Sequence, residues 1–339
     1  MLRNDYSEIA APQVLEALQK CAGEQNVGYG LDVHSKKAEK LILERFGLFE
    51  NEAKAHFLAG GTQTNATVIS YFLRPYEAVI ACASGHINVH ETGAVEGTGH
   101  KVYTCPSADG KLLPEDIEKA VLLHADEHMV SPKMVYISNS TETGTIYTKA
   151  ELLSLRGVCD KYGLLLFMDG ARLGVALTCE KNDVTCEFIG EICDVFYVGG
   201  TKNGALMGEA VVIKNKIDAG SFRHHIKNRG AMLAKGFAVG IQFKRLFEDG
   251  LYFELAKNSN RTADIIRAGL NDAKIQTIGN SPTNQIFINV KRDLADALIE
   301  KFGLELWEDC GHSKTVRIVT SFATADEECE KLIGFIKSR

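Results

Sequence analysis

The sequence predicts an α/β protein: a large domain on a mostly parallel sheet flanked by helices, then a small α+β domain at the carboxyl terminus. Three observations predict it. Short apolar runs alternate with amphipathic helical stretches as far as residue 213, the pattern of strands joined by crossover helices. Polar residues collect just past the ends of several of those runs, where open parallel sheets place their ligands. The chain has 339 residues, 45% of them hydrophobic, enough for one large core and a smaller one. The division is expected at residues 1–245 and 246–339, with an amino-terminal arm on the first.

Residues 1–30 read as an irregular arm carrying one helix, because Val14, Leu15, Leu18 and Cys21 recur at helical spacing until Gly28-Tyr29-Gly30 breaks the pattern. Lys36 to Phe46 is an amphipathic helix ended by Gly47. A strand from His56 to Ala59 runs into Gly60-Gly61-Thr62-Gln63-Thr64-Asn65, expected as a glycine turn ahead of a helix. Its backbone N–H groups, with Thr62 and Gln63, would make a phosphate cradle, although a plain strand-to-helix connection reads the same way. It is neither a dinucleotide fingerprint nor a P-loop.

Strands follow at Ala78 to Cys82, Lys101 to Thr104 and Lys133 to Ser138, with helices at Pro114 to Leu123 and Lys149 to Tyr162. Leu164 to Phe167 and Val195 to Val198 are continuous apolar runs and therefore buried central strands. Ala210 to Ile213 is another. Residues 215–230 are basic and polar, a loop or broken helix. Ala238 to Leu255 reads as one long helix crossing between domains, followed by a helix at Asn260 to Leu270. Strands near Gln285 to Val290 and Thr315 to Val319, with helices at Leu294 to Lys301 and Asp326 to Lys337, complete the small domain.

Composition narrows the function classes. A formal net charge of −6 and a pI near 6.0 argue against a nucleic-acid or anionic-membrane surface. The nine cysteines are dispersed and include no Cys-x-x-Cys pair, which fits a reducing cytoplasm better than a disulfide framework or a zinc site. No apolar leader opens the chain and no apolar run reaches membrane-spanning length, so a cytoplasmic protein is expected.

The chemistry gathers at the two central strands. One ends at Asp169 and the other just before Thr201-Lys202, so a carboxylate, a hydroxyl and an amine meet at one sheet edge. That trio suits pyridoxal phosphate: the lysine forms the Schiff base, the carboxylate pairs with the pyridinium nitrogen, and hydroxyls hold the phosphate. Taken singly, Asp169 reads more readily as a helix cap and Lys202 as a solvated turn residue; it is the combination that points to the cofactor. His86, just past another strand end, is placed to stack on a planar ring. His86, His90 and Glu91 do not make a metal motif, because the acid follows the second histidine and no third ligand is evident; no metal is expected, and His90 is assigned to helix packing. Arg317, amid the apolar residues of its strand, should meet a carboxylate.

With Gly61-Thr62-Gln63, Gly85-His86, Asp169-Gly170-Ala171-Arg172 and Thr201-Lys202 in this order, nearly the whole chain resembles the low-specificity threonine aldolases. These are β-eliminating-lyase relatives within the aspartate-aminotransferase-like, fold type I pyridoxal-phosphate enzymes. The opening Leu2-Arg3-Asn4-Asp5 and the Tyr29-Gly30 pair share the likeness. The resemblance implies cleavage of the Cα–Cβ bond of β-hydroxy-α-amino acids, L-threonine or L-allo-threonine giving glycine and acetaldehyde. It assigns Lys202, His86 and Asp169 to catalysis and Gly61, Thr62, Gln63 and Thr201 to the cofactor. Arg172 and Arg317 would clamp the substrate carboxylate, with Asn4, Tyr29 and Glu142 also at the substrate. It further implies a homodimer or homotetramer with active sites shared between subunits, Tyr29 and residues 224–235 serving the neighbour.

Two departures from the family pattern stand out. Glu142 occupies the place of a family histidine near the substrate hydroxyl, so His86 or a water is favoured over Glu142 as the base. Leu233 stands where a phosphate-binding arginine is usual, leaving Arg229 or Lys235 to substitute. The alternative activity is β-elimination on amino acids carrying a β-leaving group. Aminotransferase, nucleotide-dependent oxidoreductase and silent binding protein are weaker alternatives.

Overall fold

The computed structural model of the protein describes residues 1–218 and 220–339. Its large sheet has seven strands: β1 (Ala53–Leu58), β2 (Glu77–Cys82), β3 (Lys101–Cys105), β4 (Ser131–Ser138), β5 (Leu165–Asp169), β6 (Val195–Gly199) and β7 (Glu209–Lys214). They lie in the order β1-β7-β6-β5-β4-β2-β3. Neighbours from β6 across to β3 pair in parallel, whereas β7 is antiparallel to both β6 and β1. One edge of the sheet therefore collects the carboxyl ends of β1, β2, β4, β5 and β6 together with the amino end of β7.

Helices cover both faces: α1 (Pro12–Lys20), α2 (Val33–Arg45), α3 (Gly61–Phe72), α4 (His86–Val89), α5 (Pro114–Leu123), α6 (Lys149–Tyr162), α7 (Leu173–Thr178), α8 (Cys186–Ile192), α9 (Phe222–Asn228) and α10 (Phe237–Glu248). Their starts follow local chemistry. Asp32 caps α2 by accepting from the Ser35 N–H at 2.8 Å, and Thr148 with Glu151 forms a reciprocal capping box on α6, which Gly163 ends at φ 63°. Alternate residues of the central strands face opposite layers. Val135, Ile137, Leu166, Met168, Phe196 and Val198 pack into one core, and Met134, Tyr136, Phe167, Val195 and Tyr197 into the other. Burial on both faces is why these strands read as unbroken apolar runs, and each buried phenylalanine contributes about 1.5–3 kcal/mol.

A second, four-stranded antiparallel sheet follows α11 (Leu251–Asp272). It comprises β8 (Thr277–Ile278), β9 (Gln285–Lys291), β10 (Glu305–Asp309) and β11 (Ser313–Val319), in the order β10-β11-β9-β8. With α11, α12 (Arg292–Phe302) and α13 (Asp326–Lys337) it encloses a core of its own. Leu2 joins that core, its N–H donating to the Phe302 carbonyl at 3.2 Å and its carbonyl accepting from the Val319 N–H at 3.0 Å.

Several expectations need correction. The single long helix over Ala238 to Leu255 is two helices: α10 ends at Glu248 with Asp249 as its cap, and Gly250, at φ 79°, opens α11, which runs on through the helix expected at Asn260 to Leu270. The Gly60–Asn65 turn is shorter than expected, because α3 already begins at Gly61. The Lys36 helix starts earlier, at Val33, on its Asp32 cap. His90 packs in no helix; it follows α4, is exposed, and stands 5.5 Å from His86 between ring centroids. Strands β8 and β10 were not anticipated, being short, exposed and without an apolar run. No helix among the described residues is long and apolar enough to cross a membrane.

Candidate active site

The sheet edge opens into a cavity of about 450 Å³. Each strand end contributes to its wall: Gly60, Gly61 and Thr62 after β1, His86 after β2, Glu142 after β4, Asp169 from β5, Thr201 and Lys202 after β6, and Glu209 at the start of β7. Arg172 lines it from the turn after β5, Tyr6 from the amino-terminal arm, and Glu305, Trp307 and Arg317 from the small sheet.

Asp169 is buried and fully engaged. Its Oδ1 accepts from the Tyr197 hydroxyl at 2.5 Å and the Ala171 N–H at 2.9 Å; its Oδ2 accepts from the Tyr136 hydroxyl at 2.5 Å and from Asn65 Nδ2 at 3.1 Å. Strand parity explains the tyrosines, since Asp169 lies two residues beyond Phe167, on the face that Tyr136 and Tyr197 share. Four donors therefore fix the orientation of the carboxylate. Lys202 has no carboxylate within 4 Å among the described residues, and its Nζ lies 5.8 Å from the Tyr6 ring centroid. Burial, reinforced by the Arg172 charge, pushes its pKa down and so favours a neutral, nucleophilic amine. Behind it Glu209 accepts from the Gly200 N–H at 2.9 Å, and burial raises its carboxyl pKa to about 7.

His86 is tied from below. Its Nδ1 lies 2.8 Å from Oε1 of the buried Glu91, and the same oxygen accepts from Asn65 Nδ2 at 2.7 Å. Burial lowers the His86 pKa, but Glu91, Glu142 and Asp169 together outweigh it and the net shift is upward. Arg172 donates through Nε and Nη2 to Asp5, at 2.7 and 3.1 Å, and Asn284 donates to the same carboxylate at 2.9 Å. Arg317 meets the expected carboxylate in Glu305, its register partner across β10 and β11, and donates to Gln285 at 3.0 Å.

The structure brings Gly61, Thr62, His86, Glu142, Asp169, Arg172, Thr201, Lys202 and Arg317 around one cavity. It does not bring the other candidates there. Gln63 turns back to accept from the Ala59 N–H at 3.1 Å. Asn4 caps the arm, accepting from the Tyr6 N–H at 3.1 Å and the Ser7 hydroxyl at 2.8 Å. Tyr29 is exposed beside Lys227 on a separate surface, and Arg229 and Lys235 are exposed and line no part of the cavity. Sequence reasoning missed Tyr136, Tyr197, Asn65, Asp5 and Glu209. The tyrosines had one available signal, polar-tipped residues in apolar runs at the parity of Asp169; Asp5 stood within the Leu2-Arg3-Asn4-Asp5 likeness but with no partner marked, and Glu209 had no signal.

The residues fit pyridoxal phosphate. A buried amine and a buried, hydrogen-bonded carboxylate face one space, and the amino terminus of α3, with no Cβ at Gly60 or Gly61, offers N–H groups to an anion.

This constellation on this sheet is that of a fold type I lyase, and the chain belongs to the β-eliminating lyase family, whose profile matches residues 2–293. The family implies dependence on pyridoxal phosphate. Among solved structures, a threonine aldolase from Leishmania major is 44% identical, covers 99% of this chain and 98% of its own, and superposes with a TM-score of 0.97. A low-specificity L-threonine aldolase from Pseudomonas sp. (strain NCIMB 10558) is 29% identical over 99% of this chain and 96% of its own length. Aspartate aminotransferase from Thermus thermophilus, at 16% identity, shares the fold, with a TM-score of 0.72 over 99% of this chain and 90% of its own.

Proposed function

We propose that the protein cleaves the Cα–Cβ bond of β-hydroxy-α-amino acids, converting L-threonine or L-allo-threonine to glycine and acetaldehyde. The observation that carries the proposal is that Lys202, Asp169 and His86 open onto one cavity that two arginines also line. It is supported by relatives named threonine aldolase that align along nearly the whole chain.

Pyridoxal phosphate, when bound, supplies an electron-withdrawing ring that accepts the electrons of the breaking bond. Lys202 Nζ would hold it covalently and Asp169 would pair with its ring nitrogen, while Gly61, Thr62 and Thr201 would contact its phosphate. Arg172 and Arg317 bind the amino-acid carboxylate, and so set which bond at Cα is presented for cleavage. His86, held by Glu91, takes the proton from the β-hydroxyl as the aldehyde leaves. Glu142, with no hydrogen bond among the described residues, adds negative charge beside His86 and so strengthens it as a base.

We further propose that the enzyme works as a homo-oligomer in which Tyr29 and the exposed Arg229 or Lys235 complete a neighbouring subunit's site. We also propose the division of the chain into residues 1–245 and 246–339, a boundary that falls in the last turn of α10 (Phe237–Glu248). Replacing Lys202 with Ala should abolish the visible absorbance of the purified protein and its release of aldehyde from β-hydroxy amino acids. An unchanged coloured band would overturn the role of Lys202. A 2-oxo acid and ammonia in place of aldehyde (2-oxobutyrate from threonine) would overturn carbon–carbon cleavage in favour of β-elimination.

A further inference from the structure

Away from the cavity, the described residues hold a cluster with the donor chemistry of a transition-metal site. Cys21, Glu24 and His34 place their donor atoms within 4.8 Å of one another, and His34 Nε2 stands 2.6 Å from a Glu24 oxygen. Sequence spacing alone points away from zinc, since the cysteines are dispersed and form no Cys-x-x-Cys pair. The fold adds what spacing cannot show, by delivering His34 from the next helix.

We propose that Cys21 Sγ, a Glu24 carboxylate oxygen and His34 Nε2 form a zinc site, with three protein ligands and a fourth position left to water. Thiolate, imidazole and carboxylate are the ligand types zinc prefers, and three of them with one open position is an established arrangement for the ion. Tetrahedral bonds of ordinary length put neighbouring ligand atoms about 3.3–3.8 Å apart, so the 2.6 Å His34–Glu24 contact must open and the wider separations close, each by about 1 Å.

The ligands are carried on fixed backbone. Cys21 ends α1, its N–H bonded to the Ala17 carbonyl at 3.3 Å; Glu24 is tied to the same turn through its N–H and the Cys21 carbonyl at 3.1 Å; His34 is the second residue of α2. His34 is buried while Glu24 is half exposed, so the open position faces solvent. Burial, the Glu24 hydrogen bond and the Glu24 charge raise the Cys21 thiol pKa, and only Lys244 opposes them. A cation entering here neutralises Glu24 and takes the place of the Cys21 thiol proton. The bound ion ties the end of α1 to the start of α2 and braces the connection that carries Tyr29.

A histidine–glutamate pair beside an ordinary thiol would place these three side chains in the same way, so the test must separate the two. Purified holoenzyme is treated with a chelator, dialysed and titrated with cobalt(II). Tetrahedral cobalt bound to a thiolate shows ligand-field bands at wavelengths longer than those at which pyridoxal phosphate absorbs. The expected result is one equivalent per chain, displaced by zinc, present in a Cys310→Ser background and lost in Cys21→Ser. Glu24→Gln, an exposed change that the fold should tolerate, should weaken zinc binding by roughly tenfold or more, the loss common even for groups that only support a ligand. Absence of the bands, their survival in Cys21→Ser, or undiminished zinc affinity in Glu24→Gln would each overturn the site.

Discussion

Glu91 holds His86: the carboxylate is fully buried, lies 2.8 Å from the imidazole Nδ1, and shares Asn65 Nδ2 with Asp169. With Nδ1 engaged, Nε2 is the ring nitrogen left for a proton in transit. Because the surrounding carboxylates outweigh burial, the His86 pKa lies above its ordinary value, and a base must be neutral to act. kcat/KM should therefore rise with pH through that elevated value. Replacing Glu91 with Gln removes the nearest negative charge, so the acid limb should move to lower pH. His86→Ala should cost about 100-fold or more in kcat. Should the limb stay put in Glu91→Gln, His86 is not the group being titrated.

Much of this was legible in the sequence, and the part that was not has a physical reason. Asp169 and Lys202 announced themselves because a buried parallel strand is uniformly apolar, so the first polar residue beyond it stands out. Tyr136 and Tyr197 did not, since a tyrosine inside such a strand reads as core until its parity relative to Asp169 is known. Asp5 lies 167 positions from Arg172, and Glu209 is nine from Gly200; nothing local marks either as a partner. The break at Gly250 was missed for another reason. A glycine is only mildly unfavourable within a helix, so hydrophobic periodicity carries a reader straight across it.

Arg317 is engaged before substrate arrives, bonded to Glu305 across the β10–β11 pair. On the proposed function, an incoming carboxylate must share or displace that partner. Glu305 is partly exposed at the rim, so its pairing is weakly held compared with a buried ion pair. Glu305→Ala should lower KM for the amino acid severalfold with little change in kcat. Arg317→Ala should raise KM by about tenfold or more. Opposite signs in these two variants are the signature of competition for one guanidinium, and steady-state kinetics reads both.

Gly170 and Gly157 make a contrasting pair. A Cβ on Gly170 would sit 1.8 Å from the Tyr197 carbonyl, so alanine there must force β5 and β6 apart at the point where Asp169 and Lys202 converge. Gly170→Ala should cost about 3 kcal/mol or more in stability and release bound cofactor. Gly157 lies inside α6 with nothing within 4 Å of its added Cβ. Gly157→Ala should raise stability by up to about 1 kcal/mol through helix propensity alone. Thermal unfolding followed by circular dichroism distinguishes the two.

Asp5 and Arg172 form a buried pair whose loss should be visible in stability before it is visible in catalysis. Asp5 is 1% exposed, and its partner uses Nε and Nη2 on it, which leaves Nη1 for the carboxylate that the proposed function assigns to Arg172. Burial would raise the Asp5 pKa, yet Arg172, Lys202 and the Asn284 hydrogen bond bring it below the ordinary value of 3.8. A carboxyl depressed in the folded state stabilises at pH above its unfolded pKa, and that contribution drains away as pH falls through the folded value. Asp5→Asn leaves the arginine buried without a counter-ion, so it should destabilise by about 3–5 kcal/mol near neutral pH. The gap between parent and variant should then narrow below about pH 4, where Asp5 of the parent begins to lose its charge. Denaturant titrations across that range measure it. A constant gap at every pH would mean that the loss comes from packing at the arm and not from the charge.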